Sequence, residues 1–358
     1  MYKYAHGADI YDDDGIPRDG LIDFSSSINP LGIRESVLSA AKEAAGASSV
    51  YPDSESRLLK SAIAAFEGVP AEDIFVSAGA SDIFFRLMAV KRPERVLLTA
   101  PSFSDYARAA QAYGAQVSYH ALTRGEGFQI TREFAEAVTR EQPDIVFLCN
   151  PNNPTGVLTG LENIRNVLDA ASEAGSLLVV DECFLGLAEN GAELSAKSFL
   201  GEYENLLIVR AFTKTFSLPG LRIGYSITSD TGLNAALRQC GPDWPVSNVA
   251  QAAALASLEG GAEFLEETHK FIAEAKRGLI RGLRELGLAV FGSAANFVFF
   301  YADTAINLQT ALLEKGIAIR DCAGFAGLTD GYYRIAVRSE RDNDALLSAI
   351  AALMNGGK

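Results

Sequence analysis

The chain has 358 residues, 48% of them hydrophobic, which suffices for a sizeable core and exceeds what one small domain needs. A net charge of -14 disfavours nucleic acid and anionic membrane surfaces, and a mean hydropathy of +0.10 without a long apolar run leaves no transmembrane stretch. Cys149, Cys183, Cys240 and Cys322 form no Cys-x-x-Cys pair and the three histidines are scattered, so neither a disulfide framework nor a metal site is expected.

The polar, acidic stretch from Met1 to Asp14 holds His6-Gly7 and has no signal-peptide core, which points to a cytoplasmic protein. Ile22-Asp23-Phe24-Ser25-Ser26-Ser27-Ile28-Asn29-Pro30-Leu31-Gly32 and Tyr51-Pro52-Asp53 follow. From about Ile74 to Ile227, strand-like apolar runs alternate with helical stretches, which predicts a mainly parallel sheet covered by helices on both faces. Ile74 to Asp82 reads as strand, small-residue turn and helix start, and N–H groups at such a terminus can hold a phosphate. Phe103 follows the strand Arg95 to Thr99, where packing is the ordinary use of an aromatic ring. The strand Asp144 to Cys149 runs into Asn150-Pro151-Asn152-Asn153-Pro154-Thr155-Gly156, a rigid turn.

Ser176 to Glu182 ends a buried strand on Asp181, a carboxylate that is costly there unless something positive meets it. A protonated pyridine nitrogen is such a partner, and a helix cap or an ion pair is the plainer alternative. Lys214 follows the apolar run Leu206 to Val209 and precedes a Pro-Gly turn, with Arg222 leading into the next strand. A lysine at a strand end can be desolvated, which suits it to Schiff-base chemistry, and Arg222 can bind an anionic group of the same cofactor. A solvated loop lysine beside a structural arginine is the alternative. Gly261 to Leu286 carries a helical apolar stripe and is too short to press a coiled coil. The tail then reads strand (296–301), helix (308–314), strand (317–320), strand (333–337) and helix (342–354).

Taken in order, these pieces resemble the fold-type I pyridoxal-phosphate enzymes, the aspartate aminotransferase superfamily. The resemblance spans nearly the whole chain. It implies an α/β fold: a large domain with a mainly parallel seven-stranded sheet, plus a smaller α+β domain. The expected division is an N-terminal arm (1–32), a large domain (46–233), and a small one (33–45 and 234–358) joined to it by the helix from Gly261. The cofactor implied is pyridoxal 5′-phosphate. Lys214 is then its covalent anchor, Asp181 pairs with the pyridine nitrogen, Phe103 stacks on the ring and Asn153 faces the phenolic oxygen. Gly79, Ala80, Ser81, Thr213 and Arg222 form the phosphate cradle, and Tyr51 reaches the cofactor of a neighbouring subunit, which implies a homodimer with shared sites. Two positions depart from the common pattern. Phe184 stands where many members have a tyrosine, and Ala211 where many have a hydroxyl residue.

The segments around Asp23 to Gly32, Arg320 to Leu328 and Tyr332 to Arg338 look like the threonine-phosphate decarboxylase family, with histidinol-phosphate aminotransferases as its sister. That implies loss of carbon dioxide from a phosphorylated amino acid, O-phospho-L-threonine or O-phospho-L-serine, for cobalamin biosynthesis. Transamination with 2-oxoglutarate and glutamate is the alternative. Arg334, helped by Asn153, would bind the substrate carboxylate, and Arg320, Asn29 and the His6-Gly7 arm the substrate phosphate.

Overall fold

The computed structural model describes residues 8, 10–12 and 14–355. Strand β1 (Ile22–Asp23) leads into helices α1 (Glu35–Ala45) and α2 (Arg57–Glu67). Next come β2 (Ile74–Ser77), α3 (Ala80–Lys91), β3 (Arg95–Ala100), α4 (Ser104–Ala112), β4 (Gln116–Ala121), α5 (Arg132–Glu141), β5 (Ile145–Cys149) and α6 (Leu161–Glu173). Then follow β6 (Leu177–Asp181), β7 (Leu206–Ala211), the short α7 (Phe212–Thr215), β8 (Gly224–Ile227), α8 (Thr231–Gln239), α9 (Asn248–Leu258) and α10 (Gly261–Glu285). The last segment holds β9 (Ala289–Val290), β10 (Phe297–Tyr301), α11 (Leu308–Leu313), β11 (Ile317–Ala318), β12 (Arg320–Asp321), β13 (Tyr332–Ala336) and α12 (Glu340–Asn355).

The central sheet has seven strands in the order β2-β8-β7-β6-β5-β3-β4. From β7 to β4 every pairing is parallel, and β8 alone runs against its neighbours β2 and β7. β5 and β6 are buried along their whole length, which their continuous apolar runs require of a sheet covered on both faces. β4 is one of the two edge strands, and its largely exposed residues lack the apolar run that marks the inner strands. A second sheet runs β12-β13-β10-β9, and β1 pairs in parallel with β11. The strand expected over 317–320 is therefore two: the chain leaves the β1 pairing after Ala318 and joins β13 at Arg320.

α10 buries Phe264, Ile272, Leu279 and Leu283, the stripe that its spacing predicts. α8 crosses residue 234, yet its Leu233 and Leu237 share a core with Ile83 and Phe84 of α3, so this helix packs on the seven-stranded sheet. Among the described residues no helix is long and apolar enough to cross a membrane.

Candidate active site

The parallel strands β3, β5, β6 and β7 deliver their carboxyl ends to one edge of the sheet, where open α/β folds bind ligands. A cavity of about 420 Å³ lies there, lined by Ala80, Ser81, Phe103, Asn153, Asp181, Thr213, Lys214, Arg222, Arg320 and Arg334. Most of these residues, far apart in sequence, meet because they stand at or near the end of an element, whereas Arg334 reaches in from the middle of β13.

Asp181 closes β6 and is buried. Its Oδ2 accepts a hydrogen bond from the Tyr106 hydroxyl at 2.5 Å, and its Oδ1 accepts one from the Cys183 N–H at 3.0 Å. Burial pushes its carboxyl above the ordinary range, and these donors pull the other way. Lys214 lies on α7, immediately after β7. Burial, with the nearby charge of Arg334, brings its amine from 10.5 down to about 8. Its Nζ stands 5.6 Å from the centre of the Phe184 ring, which itself packs edge-on against Phe297. The position thus offers an aromatic face and no hydroxyl.

Gly79 caps α3 with φ +94°, and a Cβ there would sit 3.0 Å from Arg222 Nη2. Only glycine lets the guanidinium approach the helix start so closely. Arg222 itself adopts a left-handed backbone, φ +53°. Ser81 Oγ, at the second residue of α3, donates to Asp105 at 2.6 Å.

In the Asn150–Gly156 turn two asparagines are structural. Asn150 bonds Thr159 in both directions, and Asn152 donates to Pro101 O and Thr155 Oγ1. Asn153 alone of the three lines the cavity, and its Oδ1 accepts from Arg334 Nη1 at 2.5 Å. Arg334 also donates through Nη2 to Ser25 O at 2.8 Å, and its buried Nε has no partner among the described residues. Burial lowers it from 12.5 to about 10. Arg320 stands directly opposite Arg334 in the antiparallel β12–β13 pair, and both line the cavity. Like charges opposed across two strands repel, so the arrangement favours an anion between or above them.

β7 is held from behind by a buried ion network. Arg210 donates to both oxygens of Glu67 (2.7 and 2.8 Å) and to Glu182 at 2.7 Å. Lys197 reaches Glu67 at 3.1 Å, and the Tyr225 hydroxyl also donates to Glu67. Burial would raise the Glu67 carboxyl, but the charges of Arg210 and Lys197 outweigh it and hold it below the ordinary value.

One residue expected at the site is elsewhere. Asn29 does not line the cavity: its Nδ2 donates to Thr215 O and Thr268 Oγ1, both at 2.9 Å, and its Oδ1 accepts from Leu31 N. With its amide committed, and its N–H bonded to Lys214 O, Asn29 braces the lysine turn and has nothing left for a substrate phosphate. Tyr51 is 76% exposed and stacks on Trp244, ring centres 4.4 Å apart, outside the cavity of its own chain. His6 and Gly7 lie outside the described residues. The cavity gains residues that the sequence did not single out, among them Ser25, Ser26, Asp105, Cys183 and Phe325. Tyr106 was also missed, although its place three residues after Phe103 on one helix face is a usable signal.

The family model "Aminotransferase class I and II" matches residues 19–350. The chain belongs to this family. A threonine-phosphate decarboxylase from Salmonella typhimurium is 32% identical over 361 residues, covering 99% of this chain and 98% of that protein. The crystal structure of the histidinol-phosphate aminotransferase from Clostridium acetobutylicum superposes with a TM-score of 0.86 at 31% identity, covering 94% of this chain and all of that one. The histidinol-phosphate aminotransferase from Sinorhizobium meliloti, in complex with pyridoxal-5′-phosphate, superposes at 0.83 with 25% identity, covering 93% of this chain and 90% of that one. The protein is thus a pyridoxal-phosphate-dependent enzyme of class I and II, with the fold-type I architecture.

Proposed function

We propose that this enzyme removes the carboxylate of a phosphorylated amino acid, of the O-phosphothreonine or O-phosphoserine type, and releases an amino-alcohol phosphate. The observation that carries the reading is the facing pair Arg320 and Arg334, two cations on adjacent strands that suit a substrate with two anionic ends. The similarity to the Salmonella typhimurium decarboxylase supports it.

The residues present fit pyridoxal phosphate. Asp181 is a buried carboxylate able to pair with the ring nitrogen, and Lys214 is an amine brought down to about 8 by burial. The start of α3 with Ser81, Thr213 and Arg222 supply donors for the phosphate, Gly79 makes room for the Arg222 guanidinium beside them, Phe103 offers a ring to stack on, and Asn153 an amide for the phenolic oxygen. When bound, the cofactor supplies an electron sink for the α-carbon bond that stands perpendicular to its ring.

This chain's residues select that bond. Arg334 would hold the carboxylate and Arg320 the phosphate, and two fixed anionic ends determine which α-carbon bond is presented for cleavage. Lys214 Nζ then delivers the proton that replaces the carboxylate at the α-carbon. The net charge of -14 repels a phosphorylated substrate at long range, and the arginines offset this locally. A role in cobalamin biosynthesis and a cytoplasmic location go with this reading.

The proposal extends to a homodimer in which Tyr51 reaches the partner's cofactor. The exposed apolar surface of Val50, Tyr51, Leu58 and Trp244 supports it. It also includes the division into an arm (1–32), a large domain (46–233) and a small domain (33–45 and 234–358), supported by the separation of the sheet β12-β13-β10-β9 from the seven-stranded one, although α8, which crosses residue 234, packs with the large domain.

A second reading, transamination, is favoured by the Clostridium acetobutylicum structure. One experiment separates the two. The holoenzyme is incubated with phosphothreonine and with phosphoserine, and carbon dioxide is measured. In parallel, histidinol phosphate and 2-oxoglutarate are supplied, and glutamate is measured. Glutamate without carbon dioxide rejects decarboxylation.

A further inference from the structure

The Asp181 carboxylate is buried at the cavity floor, an expensive place for a charge. The groups that face it come from three elements. Tyr106 and Asp105 lie on α4, Cys149 ends β5, and Cys183 follows Asp181 in its own loop. Asp105 repels the charge. Cys183 supports it through its thiol and through its N–H at 3.0 Å. The shortest hydrogen bond it accepts is from the Tyr106 hydroxyl, 2.5 Å from Oδ2.

Tyr106 is itself fully buried, and its ring is locked on three sides. It stacks on Phe147 at 4.7 Å, and Phe84 and Phe103 meet it edge-on at 5.0 and 5.5 Å. Such a ring cannot swing away, so its hydroxyl stays where the carboxylate needs it. Burial also keeps the phenol protonated, and thus always a donor. A phenol donating to a carboxylate stabilises only the ionised form, because the protonated acid has less need of a donor.

We propose that Tyr106 is a positioning residue that keeps the Asp181 carboxylate ionised and fixed toward the cavity floor. The consequence for catalysis rests on the reading of Asp181 as partner of the cofactor's ring nitrogen. An ionised Asp181 leaves the proton on that nitrogen, and a neutral one holds it back.

The test reads Asp181 directly. Infrared difference spectra are taken on the apoprotein across pH 5–9, with Asp181→Asn as the blank, and the carboxylic-acid carbonyl band is followed. Tyr106→Phe should move the appearance of that band up by about one to two pH units, the shift expected of one charge-assisted hydrogen bond. Replacing Tyr106 with 3-fluorotyrosine, a stronger donor of nearly the same shape, should move it down. A merely structural tyrosine would not give shifts of opposite sign, and an unmoved band in either variant overturns the proposal. If Tyr106→Phe does not fold, the fluorotyrosine arm still decides. Cofactor affinity of Asp181→Asn, read by absorbance, decides separately the reading on which the catalytic consequence rests. An unchanged affinity rejects that reading and leaves the infrared result on Tyr106 intact.

Discussion

The reactivity of Lys214 follows from burial, and its size can be worked out. An ordinary lysine at 10.5 has about 0.03% of its amine unprotonated at neutral pH, whereas one at about 8 has about 10%, a gain of roughly 300-fold. Apoprotein pulsed with a limiting acylating reagent should therefore label Lys214 early, with a rate that rises about tenfold per pH unit and levels off near pH 8. Mass spectrometry of the peptide from Ala211 to Arg222 reads that rate without any turnover. Arg334→Met removes the second-largest cause of the shift, a neighbouring positive charge, and should carry the plateau to higher pH. Labelling that keeps rising in proportion to hydroxide through pH 10 in the unaltered protein would refute the reasoning, because the amine would then be an ordinary one.

Three further outcomes are expected. Arg210→Met leaves Glu67 and Glu182 buried without their cation and should cost about 3–5 kcal/mol, seen as a fall of about 1 M or more in the urea midpoint. The Glu67 carboxyl is held below 4.5, so its contribution is complete above that value and is lost as pH falls through the depressed folded one. The deficit of Arg210→Met should shrink on acidification, because uncompensated carboxylates take up protons; a deficit constant from pH 7 to 5 would contradict this. Gly79→Ala puts a methyl 3.0 Å from Arg222 Nη2 at a backbone φ of +94°, and should weaken cofactor retention in equilibrium dialysis by about tenfold or more. Arg320→Ala should raise the KM for phosphothreonine by about 10–100-fold with a smaller effect on kcat, and an unchanged KM would remove Arg320 from the phosphate site.

Much of the active edge was legible in the chain because its signals are local. Asp181 ends an apolar run, Asn153 and Lys214 follow one within a few residues, and an apolar run that stops on a polar residue marks a strand end without knowledge of its neighbours. The glycine turn before α3 and the stripe of α10 are equally local, since backbone conformation and helical period are short-range properties. β4 and the break between β11 and β12 were not legible, because β4 is mostly exposed and carries no apolar run, and a change of sheet is set by a distant partner.

Side-chain partnership is likewise a long-range matter. The resemblance gives Asn29 to the substrate phosphate, but folding carries it to Thr215 and Thr268, which take its Nδ2, and to the Leu31 N–H, which takes its Oδ1. Tyr106 carries no assignment in the chain, and the meeting of α4 with the end of β6 puts its hydroxyl on Asp181. Arg320 and Arg334 are separate motifs in the chain, and the β12–β13 register makes them a facing pair. Sequence alone therefore determined which chemical groups the enzyme carries and where each element stops. Tertiary structure decided which of those groups remain available, because a hydrogen bond already made inside the fold is one that no ligand receives.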